Sequence, residues 1–114
     1  MDAEVSRRML RLVGLGVRSR GAVVGVEQVR EAAKKGKLEL AVVGRDASKN
    51  SLDKVVPLLE ARRVRIVYAP SASDLGQAVG RVQTAAVGIV DRQLAKGIRE
   101  LMDSAPERGP KEEV

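Results

Sequence analysis

The stretch LELAVVGRDASKNSLDKVVPLLEARRVRIVY, residues 38–68, decides the fold class. It opens on Leu38-Glu39-Leu40-Ala41-Val42-Val43, a strand apolar enough at its end to be buried on both faces. Gly44-Arg45-Asp46-Ala47-Ser48 follows as a turn carrying cap residues. Leu52, Val55, Val56 and Leu59 then recur at i, i+3, i+4 and i+7, which is one face of a helix. Pro57 interrupts that run, either kinking the helix or starting its second half at N1. Val64-Arg65-Ile66-Val67-Tyr68 reads as the next strand. Strand, helix and strand within one short stretch point to a layered α/β domain.

The flanking segments continue the alternation. Ala22-Val23-Val24 predicts a short strand, with Gly25 at a helix N-cap and Gln28 three residues on in the place of a partial capping box. Val26, Val29 and Ala33 give the buried side of that helix, which Gly36 ends as a C-cap glycine. Before it, Val5, Met9, Leu12, Val13 and Gly16 fall at helical spacing, with Arg7, Arg8 and Arg11 on the other side. This opening helix is expected to stop within the glycine-punctuated stretch 14–21. Residues 71–79 predict a short helix capped by Ser71 or Ser73, with Asp74 in its first turn and Gly80 closing it. Residues 85–90 give the last strand, and Leu94, Ile98 and Leu101 mark a final helix begun near Asp91. The expectation is one α/β domain over residues 1–103, a sheet with helices on both faces, followed by a disordered tail over 104–114.

Composition narrows the chemistry. The 114 residues hold no His, Cys, Trp or Phe, and Tyr68 is the single aromatic. Zinc fingers, Cys or Ser-His-Asp nucleophiles, haem or iron–sulfur ligation and disulfide frameworks all need residues this chain lacks. Its carboxylates have cap, surface or tail explanations, so neither catalysis nor a cofactor or metal is expected. One aromatic also cannot build the stacking platforms that read splayed single-stranded bases. Any nucleic acid would be read through backbone, groove edges or folded shape. No signal peptide or membrane span is visible, and a cytoplasmic address is expected.

Charge is uneven. Lys and Arg number 21 against 15 Asp and Glu, a formal net charge of +6, and residues 1–65 carry 15 cations against 8 acids. The first half thus holds the whole basic excess, which suits a polyanionic partner.

Three segments are candidates for function. Gly14-Leu15-Gly16-Val17-Arg18-Ser19-Arg20-Gly21 follows a helix, whereas a dinucleotide fingerprint needs its glycines between strand and helix, so it reads as a helix terminus with a basic loop. Residues 42–50 have no Walker pattern; Asp46 and Ser48 read as turn and cap, with Lys49 and Asn50 able to touch a polar ligand. In residues 25–31, Gln28 suits a capping box, Glu27 the helix dipole, and Glu31 a pair with Lys35 at i+4. The same helix start offers unpaired N–H groups, and Glu27 and Gln28 could accept hydrogen bonds from base edges across Gly25.

The element order, together with Leu15-Gly16 and Arg18, Gly25 and Glu27, Asp46-Ala47-Ser48-Lys49-Asn50, Val67-Tyr68-Ala69-Pro70-Ser71, Leu75-Gly76-Gln77-Ala78-Val79-Gly80 and the strand 85–90, resembles the kink-turn-binding ribosomal protein superfamily (large-subunit proteins L-seven-Ae and L-thirty-e), in particular its bacterial YlxQ-like branch. The resemblance runs from about residue 7 to residue 101. It implies a three-layer α/β/α sandwich with a mixed four-stranded sheet. The function it implies is non-catalytic binding of a kink-turn or similar bent RNA, ribosomal RNA included, in a ribonucleoprotein or translation setting. By resemblance, the RNA contacts fall on Gly25, Val26, Glu27, Gln28, Arg30 and Glu31, with Arg18, Arg20 and Gly21 leading in, and on a covering loop at Arg81, Val82 and Gln83. The archaeal pattern places Asn, Glu and Lys where this chain has Glu27, Gln28 and Glu31. A protein-interaction module on the same fold, with Glu27 and Glu31 facing a protein, is the alternative.

Overall fold

The computed structural model describes residues 2–104. The chain runs α1 (Ala3–Arg18), β1 (Ala22–Val24), α2 (Val26–Lys34), β2 (Leu40–Gly44), α3 (Lys49–Ala61), β3 (Ile66–Ala69), α4 (Ala72–Ala78), β4 (Ala86–Ile89) and α5 (Arg92–Ser104). Of the expected tail, Ser104 is the last residue of α5, and the remainder lies outside the described residues.

The strands form one mixed sheet in the order β1-β4-β2-β3. β4 is antiparallel to both β1 and β2, and β2 is parallel to β3. The starts of β1, β2 and β3 and the end of β4 therefore share one side, the lower rim. Their opposite ends form the upper rim. β2 is buried at every residue, as its unbroken apolar run requires. Its alternate side chains divide between two cores. Leu40 and Val42 meet Met9 and Val13 of α1, Leu75 of α4 and Ile98 of α5; Ala41 and Val43 meet Val29 of α2 and Val55 and Leu59 of α3. The result is the three-layer α/β/α sandwich with a mixed four-stranded sheet.

α1 stops within the expected stretch, helical through Gly14 and Gly16 to Arg18, while several other boundaries differ from the sequence reading. Those glycines are places of close approach: a Cβ at Gly14 would stand 2.7 Å from the Ala78 carbonyl oxygen, and one at Gly16 would stand 2.4 Å from Leu94 Cδ2. β2 and β3 begin two residues later than expected. Leu38 owes its apolar character to a different task, since its Cδ2 would meet a Cβ at Gly88 at 2.5 Å and so covers the bare backbone there. Pro57 sits within an unbroken α3. Proline cannot bond the carbonyl of residue 53, and the Arg30 guanidinium donates to the adjacent carbonyl of Lys54. Arg62 likewise donates to the Lys34 carbonyl at 3.1 Å, so two arginines stitch α2 to α3.

Four helices end alike. The C′ residues Arg20, Gly36, Arg63 and Gly80 have φ of 66°, 69°, 59° and 81°. The next residue donates its N–H five positions back, Gly21 to Gly16, Lys37 to Ala32, Val64 to Leu59 and Arg81 to Gly76, at 2.7–2.9 Å. These are Schellman endings, which glycine suits because it has no Cβ to clash in the left-handed region. Arg20 and Arg63 hold that conformation at a cost of about 1–2 kcal/mol each.

Candidate nucleic-acid interface

The helix N-termini of α2, α3 and α4 all open on the upper rim, because each follows a strand of the same direction. Four of the five helices among the described residues carry a side-chain cap. Asp2 accepts from the Glu4 N–H at 2.9 Å, Ser48 from Ser51 at 3.1 Å, Ser71 from Asp74 at 2.9 Å, and Asp91 from Leu94 at 2.9 Å.

α2 is the exception, and the expected capping box does not form. Its N-cap Gly25 has no side chain to offer. The other half of a capping box would join Gln28 to the Gly25 N–H, but that N–H already donates to the Ala86 carbonyl at 2.9 Å. Gly25 can make this bond because it adopts φ 102° and ψ 156°, a region essentially reserved for glycine. The first helical bond of α2 is Val29 N–H to Gly25 C=O at 2.9 Å. The N–H groups of Val26, Glu27 and Gln28 thus precede any intrahelical acceptor. Glu27 and Gln28 are both exposed beside them.

Val26 forms one wall of a groove of about 490 Å³ that continues over Ser48 and Ser51 of the α3 entry and over Gln83, Thr84 and Ala85. The second and third candidate segments and the covering loop therefore meet here. The loop is pinned against α4: Arg81 N–H donates to the Gly76 carbonyl at 2.8 Å, and Thr84 N–H to the Ala72 carbonyl at 3.0 Å. Between these anchors Gln83 lies so close to Gly76 that a Cβ there would stand 2.3 Å from the Gln83 Cα. Arg81 and Gln83 are exposed, and Val82 is 88% exposed on this fixed loop.

Asp46, read from sequence as a turn residue, accepts from the Ala72 N–H at 2.7 Å and ties the β2–α3 turn to α4. Ser51, Thr84 and Ala85 join the groove through tertiary contacts, and local spacing carried no signal for them.

The expected site residues do not all gather. Glu31 is exposed on α2 and pairs with Lys35 at 3.0 Å, the i+4 pair expected from sequence. The hydrogen bond from Lys35 and its charge hold the Glu31 carboxyl below the usual carboxylate range. Arg30 is half-buried and engaged with α3. Arg18, Arg20 and Gly21 lie on the lower rim, across the sheet from Gly25. The Gly21 carbonyl accepts the N–H groups of Val90 and Asp91 at 2.9 and 3.1 Å. Arg18 lines a separate groove between α1 and α4, with Arg7 and Arg11. Closeness in sequence misled because β1, though only three residues long, carries the chain from one rim to the other.

Charge divides the same way. Along the lower-rim connections, counted from last helical to first strand residue with the β4–α5 junction included, nine cations stand against two acids. Along the upper-rim connections the count is three cations against one acid, with Glu27 and Asp74 just inside the following helices. The basic excess does not surround the α2 entry. No described helix is long and apolar enough to cross a membrane.

Residues 7–101 match the ribosomal protein L7Ae/L30e/S12e/Gadd45 family. A curated relative, large ribosomal subunit protein eL8 of Picrophilus torridus, is 37% identical over 68 residues, covering 59% of this chain and 54% of that protein. The chain thus matches only about half the length of that relative. Among solved structures, a Bacillus halodurans protein of unknown function superposes with a TM-score of 0.76 at 25% identity, covering 84% of this chain and 97% of the other. A Giardia lamblia 15.5kD RNA binding protein gives a TM-score of 0.76 at 24% identity, covering 90% and 88%, and shares the fold.

Proposed function

This chain belongs to the ribosomal protein L7Ae/L30e/S12e/Gadd45 family, and from that premise we infer that it is a non-catalytic RNA-binding protein that recognises a kink-turn or similarly bent RNA in a ribosome- or translation-associated complex. The observation that carries this reading is the first turn of α2, the one helix start among the described residues left without a side-chain cap. Its backbone N–H groups and positive dipole end receive a phosphate or a base acceptor. The Glu27 carboxylate and the Gln28 amide oxygen accept from base N–H groups, the guanine amino group among them. Val82 covers apolar base faces from the other side of the groove. Sharply bent RNA fits this arrangement because it presents groove edges and backbone together, with little call for aromatic stacking. Glu31 stands where a cation would help, and Lys35 offsets its charge.

The test titrates a kink-turn RNA and a straight duplex of equal length at two ionic strengths. The expected result is preference for the kink-turn, with Gln28→Ala weakening it by about 1–3 kcal/mol, roughly 5- to 150-fold. Equal affinity for the two RNAs overturns shape recognition. Association with a protein partner that survives RNase favours the interaction-module reading instead.

A further inference from the structure

The lower rim carries nine cations against two acids along its connections, and it lies away from the α2 entry. Two residues at its ends hold an unusual backbone conformation. Four helices use Schellman endings; two put glycine in the left-handed position, and two, at Arg20 and Arg63, put arginine there. Glycine would satisfy the turn with less strain, so the turn alone does not explain arginine at either place. Both residues are exposed, neither takes part in an ion pair among the described residues, and both stand on the lower rim, at the starts of β1 and β3. Between them, at the end of α2, are Lys34 and Lys37, also exposed and outside any ion pair among the described residues. Arg62, bonded to the Lys34 carbonyl, shows how closely the ends of α2 and α3 approach.

Spacing matches a polyanion. β1 and β3 are the two edges of a four-stranded sheet, so three strand separations of about 4.8 Å each place their starts, which Arg20 and Arg63 approach from opposite faces, on the order of 14 Å apart. A B-form duplex advances about 3.4 Å per step along each strand, and A-form RNA less, so the rim spans at least about four steps of backbone. The five residues of β2 separate this rim from the upper one by roughly 16 Å. One phosphate cluster cannot serve both.

We propose that the lower rim is a second RNA contact, a surface that holds duplex phosphates without reading sequence, while the α2 entry chooses the bent element. This rests on the RNA-binding reading above, but it concerns different residues and a different readout.

The test compares the double variants Arg20→Gly/Arg63→Gly and Lys34→Gln/Lys37→Gln with wild type, measuring affinity for a straight RNA duplex between about 50 and 200 mM salt. Each lost phosphate contact lowers the salt slope by about 0.9 and the low-salt affinity by on the order of tenfold. The expected result is a slope smaller by about two in each double variant. Melting temperature should hold or rise in Arg20→Gly/Arg63→Gly, because glycine suits both turns. Unchanged slopes in both double variants overturn the inference even if kink-turn preference persists. Conversely, if wild type shows no kink-turn preference yet the double variants lose slope, the α2 reading fails and the rim stands. Polyglutamate competing as well as duplex RNA at matched charge would assign the rim to an acidic protein and overturn the proposal.

Discussion

Alanine at Gly76 and alanine at Gly97 are the same substitution in two helices, and the structure predicts opposite results. In an exposed helix the exchange gains about 1 kcal/mol from propensity. At Gly97 nothing opposes that gain, since the nearest atom to the new Cβ is Leu12 Cδ1 at 3.9 Å. At Gly76 the Cβ would meet Gln83 Cα at 2.3 Å, N at 2.6 Å and C at 2.7 Å, where ordinary contact begins at 3.4 Å. All three atoms are backbone, so no rotamer change relieves the clash, and the loop must retreat by more than an ångström. Retreat strains the Arg81 and Thr84 N–H bonds that pin it. Lost hydrogen bonds at about 1 kcal/mol each and overpacking at about 1–3 kcal/mol outweigh the propensity gain. The expected net destabilisation is about 2–4 kcal/mol, a fall in melting temperature of about 4–8 °C per kcal/mol. Gly97→Ala should instead raise the melting temperature. Thermal and urea denaturation of both variants read this directly. RNA titration adds a second readout, because a displaced Val82 should weaken kink-turn binding more than straight-duplex binding. If both substitutions move the melting temperature in the same direction, the packing argument is wrong.

Further perturbations separate stability from recognition. Gly25→Ala meets no atom within 4 Å, yet its φ of 102° should destabilise the fold by about 1–3 kcal/mol and reduce RNA affinity. Val82→Ser should leave stability within about 0.5 kcal/mol and still weaken kink-turn binding; unchanged affinity would remove Val82 from the interface. Ser48→Ala should cost about 1 kcal/mol through the lost α3 cap, measured by urea unfolding. Glu31→Lys should tighten RNA binding and steepen the salt slope by about 0.9 per new phosphate contact, and weaker binding would show that Glu31 itself makes a favourable contact.

Period and punctuation made the order of helices and strands legible. The apolar run from Leu40 to Val43 and the i, i+3, i+4 recurrence from Leu52 to Leu59 are local properties of the chain. What was not legible is whatever depends on β4. Nothing near Gly25 announces that Ala86 will take its N–H, and this bond forecloses the capping box that Gln28 suggested. Leu38 looked like part of a strand because covering Gly88 demands the same apolar character. Arg20 looked like a neighbour of Gly25 because strand length, not residue count, sets distance across a sheet. Basic residues concentrated in the first half of the chain gave no hint that most of them would line one rim.

The position of β4 bears on how the protein is made. The last strand in the sequence is inserted between β1 and β2, so β1 stays without its partner until residues 86–89 have been synthesised. The parallel unit of β2, α3 and β3 is contiguous in the chain and can close earlier, because short loops close at lower entropic cost. The groove beside α2 cannot close early: the acceptor for Gly25 and the loop bearing Val82 both come from the later part of the chain. A nascent or truncated polypeptide ending before Ile89 would carry most of the positive charge and none of the finished recognition end. On the proposed function, discrimination among RNAs waits until residues 86–89 have been synthesised.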